Sequence, residues 1–235
     1  MTDQGQQGHQ GTRRAQCPRC LRPLATCLCA AVHTTAHQVQ VLILMHPLEQ
    51  RQAKGTGRLL HLCLPGSRLL VGEQFAPELL HEALTAPWCD ADRAAPRRAL
   101  LLYPATAASA PCAAPPPLPP DWLARPDRLR LVVLDATWRK SRKMLWTHPA
   151  LQALPRLALQ DMAPSRYVIR KAHAAHQLST LEATQRALQR LEPTNTGMAA
   201  LGMAMQGFMA QQSAYWPAAR SAMLDGTPIN SQETP

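Results

Sequence analysis

The run Leu131-Val132-Val133-Leu134 narrows the fold more than any other stretch of this chain. Four consecutive apolar residues without polar alternation read as a buried strand. The run ends on the Asp135 carboxylate, the Thr137 hydroxyl and the Trp138 indole. Four cations follow within five residues, Arg139-Lys140-Ser141-Arg142-Lys143. Ligands of open α/β sheets sit outside the C-terminal strand ends, where the following helices leave a crevice. An acid, an aromatic and a basic cluster there suggest an anion-handling site with one catalytic carboxylate. The plainer reading is a strand that stops at a polar turn before a solvated basic helix.

Other segments fit around this strand. Gln38–Met45 alternates and then becomes wholly apolar, and Arg68–Val71, Ala99–Tyr103 and Leu157–Leu159 are further strand candidates. Helices are predicted at about Thr56–Cys63 and Pro77–Leu84. Strands alternating with helices point to an α/β protein whose mostly parallel sheet is flanked by helices. Ser179-Thr180-Leu181-Glu182 has the form of a capping box opening a helix. A last helix is expected over about Gly197–Gln212, with Met198, Leu201, Met205 and Phe208 as core. The expected organisation is a disordered polar tail (1–16), a Cys-rich knuckle (17–30), a main domain (37–217) and a flexible tail (218–235). The Pro- and Ala-rich stretch 105–120 is expected to be an irregular connection inside the main domain.

The chain has 235 residues and a net charge of +10, from 25 Lys and Arg against 15 Asp and Glu. That balance favours a polyanionic partner, with RNA or DNA ahead of an acidic membrane surface. Residues 1–16 lack the apolar core of a secretory signal, and no stretch approaches the roughly 20 apolar residues that cross a bilayer. The expectation is a cytoplasmic protein without membrane contact or an evident obligate protein partner. Its cysteines should then stay reduced.

Four of them are close together. Cys17-x2-Cys20-x6-Cys27-x-Cys29 offers four thiolates to a tetrahedral ion, which makes structural Zn2+ the expectation, with an iron–sulfur cluster or free thiols as alternatives. Arg13, Arg14, Arg19 and Arg22 surround the cluster and could dock it on a phosphate backbone.

Three more polar groups recur near predicted element ends. His46-Pro47-Leu48-Glu49 follows the first strand, with Thr56-Gly57-Arg58 shortly after. Ser165-Arg166-Tyr167-Val168-Ile169-Arg170-Lys171 combines three cations with a tyrosine. Ser179 and Thr180 offer amides and hydroxyls at a helix N-terminus, a ready anion site. Each also has a structural reading. His46 could merely cap its strand, Glu49 could pair with Arg51, and Glu182 is explained by the capping box alone. His173 and His176 lack an evident third ligand and read as surface or RNA contacts.

Taken in order, these motifs resemble the DTW-domain family: Asp135-Ala136-Thr137-Trp138 with His46-Pro47-x-Glu49, Thr56-Gly57-Arg58, Ser165-Arg166-Tyr167, Arg170-Lys171 and Ser179-Thr180-x-Glu182. The cysteine spacing resembles the knuckle of the family's bacterial members. The chain departs from the pattern at Ala136 and Gly55, where the family has Gly and Asn. The resemblance implies a SPOUT-like, knotted fold and a tRNA-uridine aminocarboxypropyltransferase. Such an enzyme moves the 3-amino-3-carboxypropyl group of S-adenosylmethionine to N3 of a variable-loop uridine and releases methylthioadenosine.

On that reading Asp135 is the catalytic base. Leu134, Thr137, Trp138, Arg166, Tyr167, Ser179, Thr180 and Glu182 bind S-adenosylmethionine, with Trp138 either facing the sulfonium or packing under the strand end. His46, Glu49, Arg58, Arg139, Lys140, Arg142, Lys143, Arg170 and Lys171 bind tRNA, and Cys17, Cys20, Cys27 and Cys29 bind metal. The rivals are a SPOUT-type RNA methyltransferase using the same co-substrate and a non-catalytic zinc-knuckle RNA-binding protein.

Overall fold

The computed structural model describes residues 15–105, 114–159 and 178–214. Five strands form one wholly parallel sheet: β1 Gln40–Met45, β2 Arg68–Val71, β3 Arg98–Leu102, β4 Leu129–Asp135 and β5 Arg156–Leu157, in the order β2-β1-β4-β3-β5. Among the described residues seven α-helices accompany them: α1 Gly57–Cys63, α2 Pro77–Thr85, α3 Asp90–Ala94, α4 Trp138–Thr147, α5 Pro149–Gln152, α6 Thr180–Leu191 and α7 Ala199–Ser213. β4 is buried along its whole length. Its period-two geometry sends Leu131 and Val133 to one core and Val132 and Leu134 to the other. The first core takes α1, α6 and α7; the second takes α2, α4 and α5. A strand covered on both faces has no need of polar alternation, which is why the run is uninterrupted.

β1 and β4 are neighbours whose chains leave in opposite directions, β1 toward β2 and β4 toward β5. A crevice opens at such a switch point. Here the His46 amide donates to the Asp135 carbonyl at 3.0 Å, so the two strand ends stay paired at its floor.

The opposite end of the sheet carries a buried polar network. Arg130 is fully buried and donates to Gln40 Oε1 at 3.0 and 2.8 Å and to the carbonyls of Ala83 and Ala86, with Trp88 beneath its guanidinium. The Gln40 amide nitrogen turns to Asp92 at 2.7 Å, and Arg97 reaches the same carboxylate at 2.9 Å. Burial lowers the Arg130 pKa to about 10. Burial opposes the Asp92 charge too, but hydrogen bonds from Gln40, the Trp88 amide and Arg97 outweigh it and hold the carboxyl below its usual range.

Several expectations shift in detail. The third strand starts at Arg98 and the fifth consists of Arg156 and Leu157. Residues 1–14, 106–113, 160–177 and 215–235 lie outside the described residues. With them go most of the expected N-terminal tail, half of the Pro- and Ala-rich connection, the expected C-terminal tail, Arg13, Arg14, Arg166, Tyr167, Arg170, Lys171, His173 and His176. Among the described residues no helix is long and apolar enough to cross a membrane.

Asp92 Oδ2 lies 3.8 Å from the Arg130 guanidinium, so Asp92→Ala leaves Arg130 buried without its countercharge and is expected to cost about 3–5 kcal/mol, read by urea unfolding. The folded Asp92 carboxyl titrates below its unfolded value of about 3.9. Its contribution is therefore complete above about pH 5 and is lost progressively below about pH 4, and Asp92→Asn removes that part of the acid limb.

Candidate active site

Asp135 is the last residue of β4, and its side chain is buried where two helices begin. The Thr180 hydroxyl, at the start of α6, donates to Asp135 Oδ1 at 2.6 Å. From the other side comes Gly57, at the start of α1, where a Cβ would overlap the carboxylate. Glycine is required there for close approach, which gives Thr56-Gly57-Arg58 its physical meaning. Thr56 ties the two helices together, its hydroxyl accepting from the Leu181 amide at 3.2 Å. Arg58 follows on the same turn of α1, partly exposed.

Beside this group lies a cavity of about 220 Å³, over the C-terminal ends of β3, β4 and β5. Its walls are mostly apolar: Leu102, Tyr103, Val133, Leu134, Leu157, Leu159 and Ala183, with Thr180 and Ser141 as polar points. Trp138 stands half-exposed on the wall, edge-on to Tyr103 at 5.8 Å, rather than packed beneath the strand. Of the residues expected around the co-substrate, Leu134, Trp138 and Thr180 line this cavity. Thr137 occupies the N-cap position of α4, and Arg166 and Tyr167 fall outside the described residues.

Of the two amides expected at the α6 N-terminus, that of Ser179 is already engaged. Both halves of the capping box are formed: the Ser179 hydroxyl accepts from the Glu182 amide at 3.2 Å, and the Ser179 amide donates to Glu182 Oε2 at 2.9 Å. With the Leu181 amide taken by Thr56, Ser179 and Glu182 are committed to building the helix start, and Thr180 alone of the three faces the cavity.

The far side of α4 lines a second, open groove of about 500 Å³ with His46, Leu48, Glu73, Arg139, Lys140, Arg142, Lys143 and Trp146. Its cations are not equivalent. Lys140 lies 3.5 Å from the buried Glu49, which therefore pairs with Lys140 and not with Arg51. Lys143 reaches Glu73 at 2.7 Å, and this contact holds the Glu73 carboxyl below its usual range. Arg142 lies over the Trp146 ring at 4.9 Å. His46 caps the short turn Pro47–Glu49, its Nδ1 accepting from the Leu48 amide at 3.1 Å, while its Nε2 lies 3.7 Å from Glu73.

The four N-terminal cysteines converge, with all sulfur atoms within 4.8 Å of one another. Cys17–Cys29 and Cys20–Cys27 are each 3.7 Å apart. A tetrahedron with metal–sulfur bonds of about 2.3 Å has edges of about 3.8 Å, so the donor set fits such an ion. Without one the thiols compete: the Cys20 amide helps bring Cys17 down to about 6, and desolvation pushes Cys29 up to about 12. Arg22 proves structural and not a phosphate contact. It is buried, donates to the carbonyls of Gln52, Ala53 and Gly55, and lies over Phe208.

The DTW domain family model matches residues 14–213. The chain belongs to the DTW-domain family. Among curated proteins it is similar to tRNA-uridine aminocarboxypropyltransferase 2 of Drosophila melanogaster, 31% identical over 77% of this chain and 68% of that protein. It is also similar to the proteins of that name from Macaca fascicularis and Mus musculus, 28% and 29% identical over 78% of this chain and 58% of theirs. The chain thus spans little more than half the length of the mammalian relatives. No solved structure matches it. Within this DTW domain, sequence reasoning missed Tyr103 and Glu73. Tyr103 sits at a predicted strand end and was legible as a candidate, whereas Glu73 lies in an unremarkable loop.

Ser179→Ala removes one arm of the capping box and is expected to cost about 1 kcal/mol in urea unfolding.

Proposed function

We propose that this DTW-family chain is a tRNA-uridine aminocarboxypropyltransferase, acting on N3 of a variable-loop uridine and releasing methylthioadenosine. The observation that carries the reading is the buried Asp135 carboxylate, joined through the Thr180 hydroxyl to an apolar cavity at the carboxyl edge of the sheet. The names of the curated relatives support it.

The cavity suits S-adenosylmethionine: apolar walls for the nucleoside, and aromatic Trp138 and Tyr103 where a sulfonium is favoured. That co-substrate supplies an electrophilic carbon next to its sulfonium, and methylthioadenosine leaves with the electron pair of the broken C–S bond. The chain's own task is to make uridine N3 a nucleophile. Thr180 Oγ1 accepts the N3 proton while passing its own to Asp135, so the carboxylate is the final base and the hydroxyl the link. Leu134 and Thr180 form part of the cavity wall, with Ser179 and Glu182 fixing the helix start that carries Thr180; Arg166 and Tyr167 are assigned to the same co-substrate. His46, Arg58, the α4 cations, Arg170 and Lys171 are assigned to tRNA, with buried Glu49 positioning Lys140. The Cys17, Cys20, Cys27 and Cys29 sulfurs are assigned to a structural Zn2+, supported by their tetrahedral spacing. A SPOUT-like, knotted threading and a cytoplasmic location belong to the same proposal. The all-parallel sheet, with α6 starting against the end of β4, supports the threading.

Incubation with S-adenosylmethionine and tRNA is expected to yield methylthioadenosine. S-adenosylhomocysteine instead would establish the methyltransferase rival, and no product the non-catalytic one. Asp135→Asn should retain binding of both substrates but lower transfer by about 10²- to 10⁴-fold; near-normal turnover removes Asp135 as base. Metal analysis is expected to find about one zinc ion per chain, absent from Cys20→Ser, with a lowered Tm in the variant.

A further inference from the structure

The groove on the outer face of α4 has an acid at its centre. Glu73 Oε1 lies 2.7 Å from Lys143 Nζ and its Oε2 3.7 Å from His46 Nε2, and Arg139 and Arg142 line the same groove. Neither arginine has an acidic partner among the described residues, whereas Lys140 is held by buried Glu49. We propose that this groove is a phosphodiester-binding site in which the Glu73 carboxylate occupies the position an RNA phosphate takes. The inference rests on the tRNA reading above and names where the strand beside the target uridine is gripped.

Three observations favour it. The Lys143–Glu73 pair is exposed, at 59% and 35% of the two side chains, and pairs so solvated contribute little and exchange readily. Arg142 is held over the Trp146 ring, which orients its fork for an incoming anion, and guanidinium forks match phosphate oxygens two at a time. The groove shares α4 with the cavity: Trp138 and Ser141 face the cavity while Arg139, Arg142, Lys143 and Trp146 face the groove. A nucleotide inserted on one side of this helix leaves its strand to run over the other. Exposed Leu48 and the Trp146 edge add apolar surface for a base. Glu73 then acts as an internal counter-ion that keeps the cations ordered and is displaced by the stronger anion.

The test is binding of the full chain to tRNA across a salt series. Glu73→Gln should tighten binding about two- to fivefold, as loss of one exposed competing carboxylate allows. The salt dependence should run parallel to wild type, because the same phosphates are held. Arg142→Gln should weaken binding and make the salt slope shallower by about one. Asp121→Asn, an exposed acid outside the groove, should change neither. Unchanged or weaker binding by Glu73→Gln overturns the proposal, as does equal tightening by Asp121→Asn. So does competition by polyglutamate as effective as that by unlabelled tRNA, which marks an acidic-peptide surface. Methylthioadenosine release by the wild type is scored separately. Product formation with no Glu73 effect rejects the groove assignment alone. Absence of product with the Glu73 and Arg142 effects intact rejects the transferase reading and leaves the phosphodiester site standing.

Discussion

The packing of the Asp135 carboxylate between two helix starts is the contact on which the surrounding architecture depends. A carboxyl group at the end of a fully buried strand needs polar partners from the fold, and the Thr180 hydroxyl meets its Oδ1 at 2.6 Å. To reach it, α6 must begin directly above β4. To leave room for it, α1 must begin without a Cβ, at Gly57. The Thr56 hydroxyl then bonds the first turn of α6. Three segments far apart in sequence therefore meet around one side chain, and the cavity beside them inherits its shape from that meeting.

Polar groups at the two ends of the sheet serve different ends. At the amino edge, Arg130, Gln40, Asp92 and Arg97 satisfy one another within the fold and open onto no described cavity. At the carboxyl edge the polar groups border two openings. The N-terminal knuckle also belongs to the body of the domain. Cys17, Cys20 and Leu28 are part of the core shared with α7, and Gln211 of that helix donates to the Cys27 carbonyl at 2.7 Å. A metal ion holding the four sulfurs would brace the domain itself, not an appendage to it.

Helix α4 divides its labour by periodicity. Residues three and four apart share a face, so 138 and 141 look into the cavity while 139, 142, 143 and 146 look into the groove. In sequence the helix's four cations form one run, Arg139 to Lys143, broken only by Ser141. The fold sorts them again by charge partner, giving Lys140 to Glu49 and Lys143 to Glu73.

Much of this was legible in the chain. Uninterrupted apolar runs specified buried parallel strands, because only a strand covered on both faces tolerates no polar alternation. Cysteine spacing specified the knuckle, and Ser179 with Glu182 specified the α6 start, since both are local geometries set by a few adjacent residues. The neutralisation of Lys143 by Glu73, the use of Arg22 as a loop clamp and the engagement of the Leu181 amide by Thr56 were decided only in three dimensions. Each depends on a partner whose proximity comes from strand order, and sequence spacing carries no information about which chain segments the sheet places side by side.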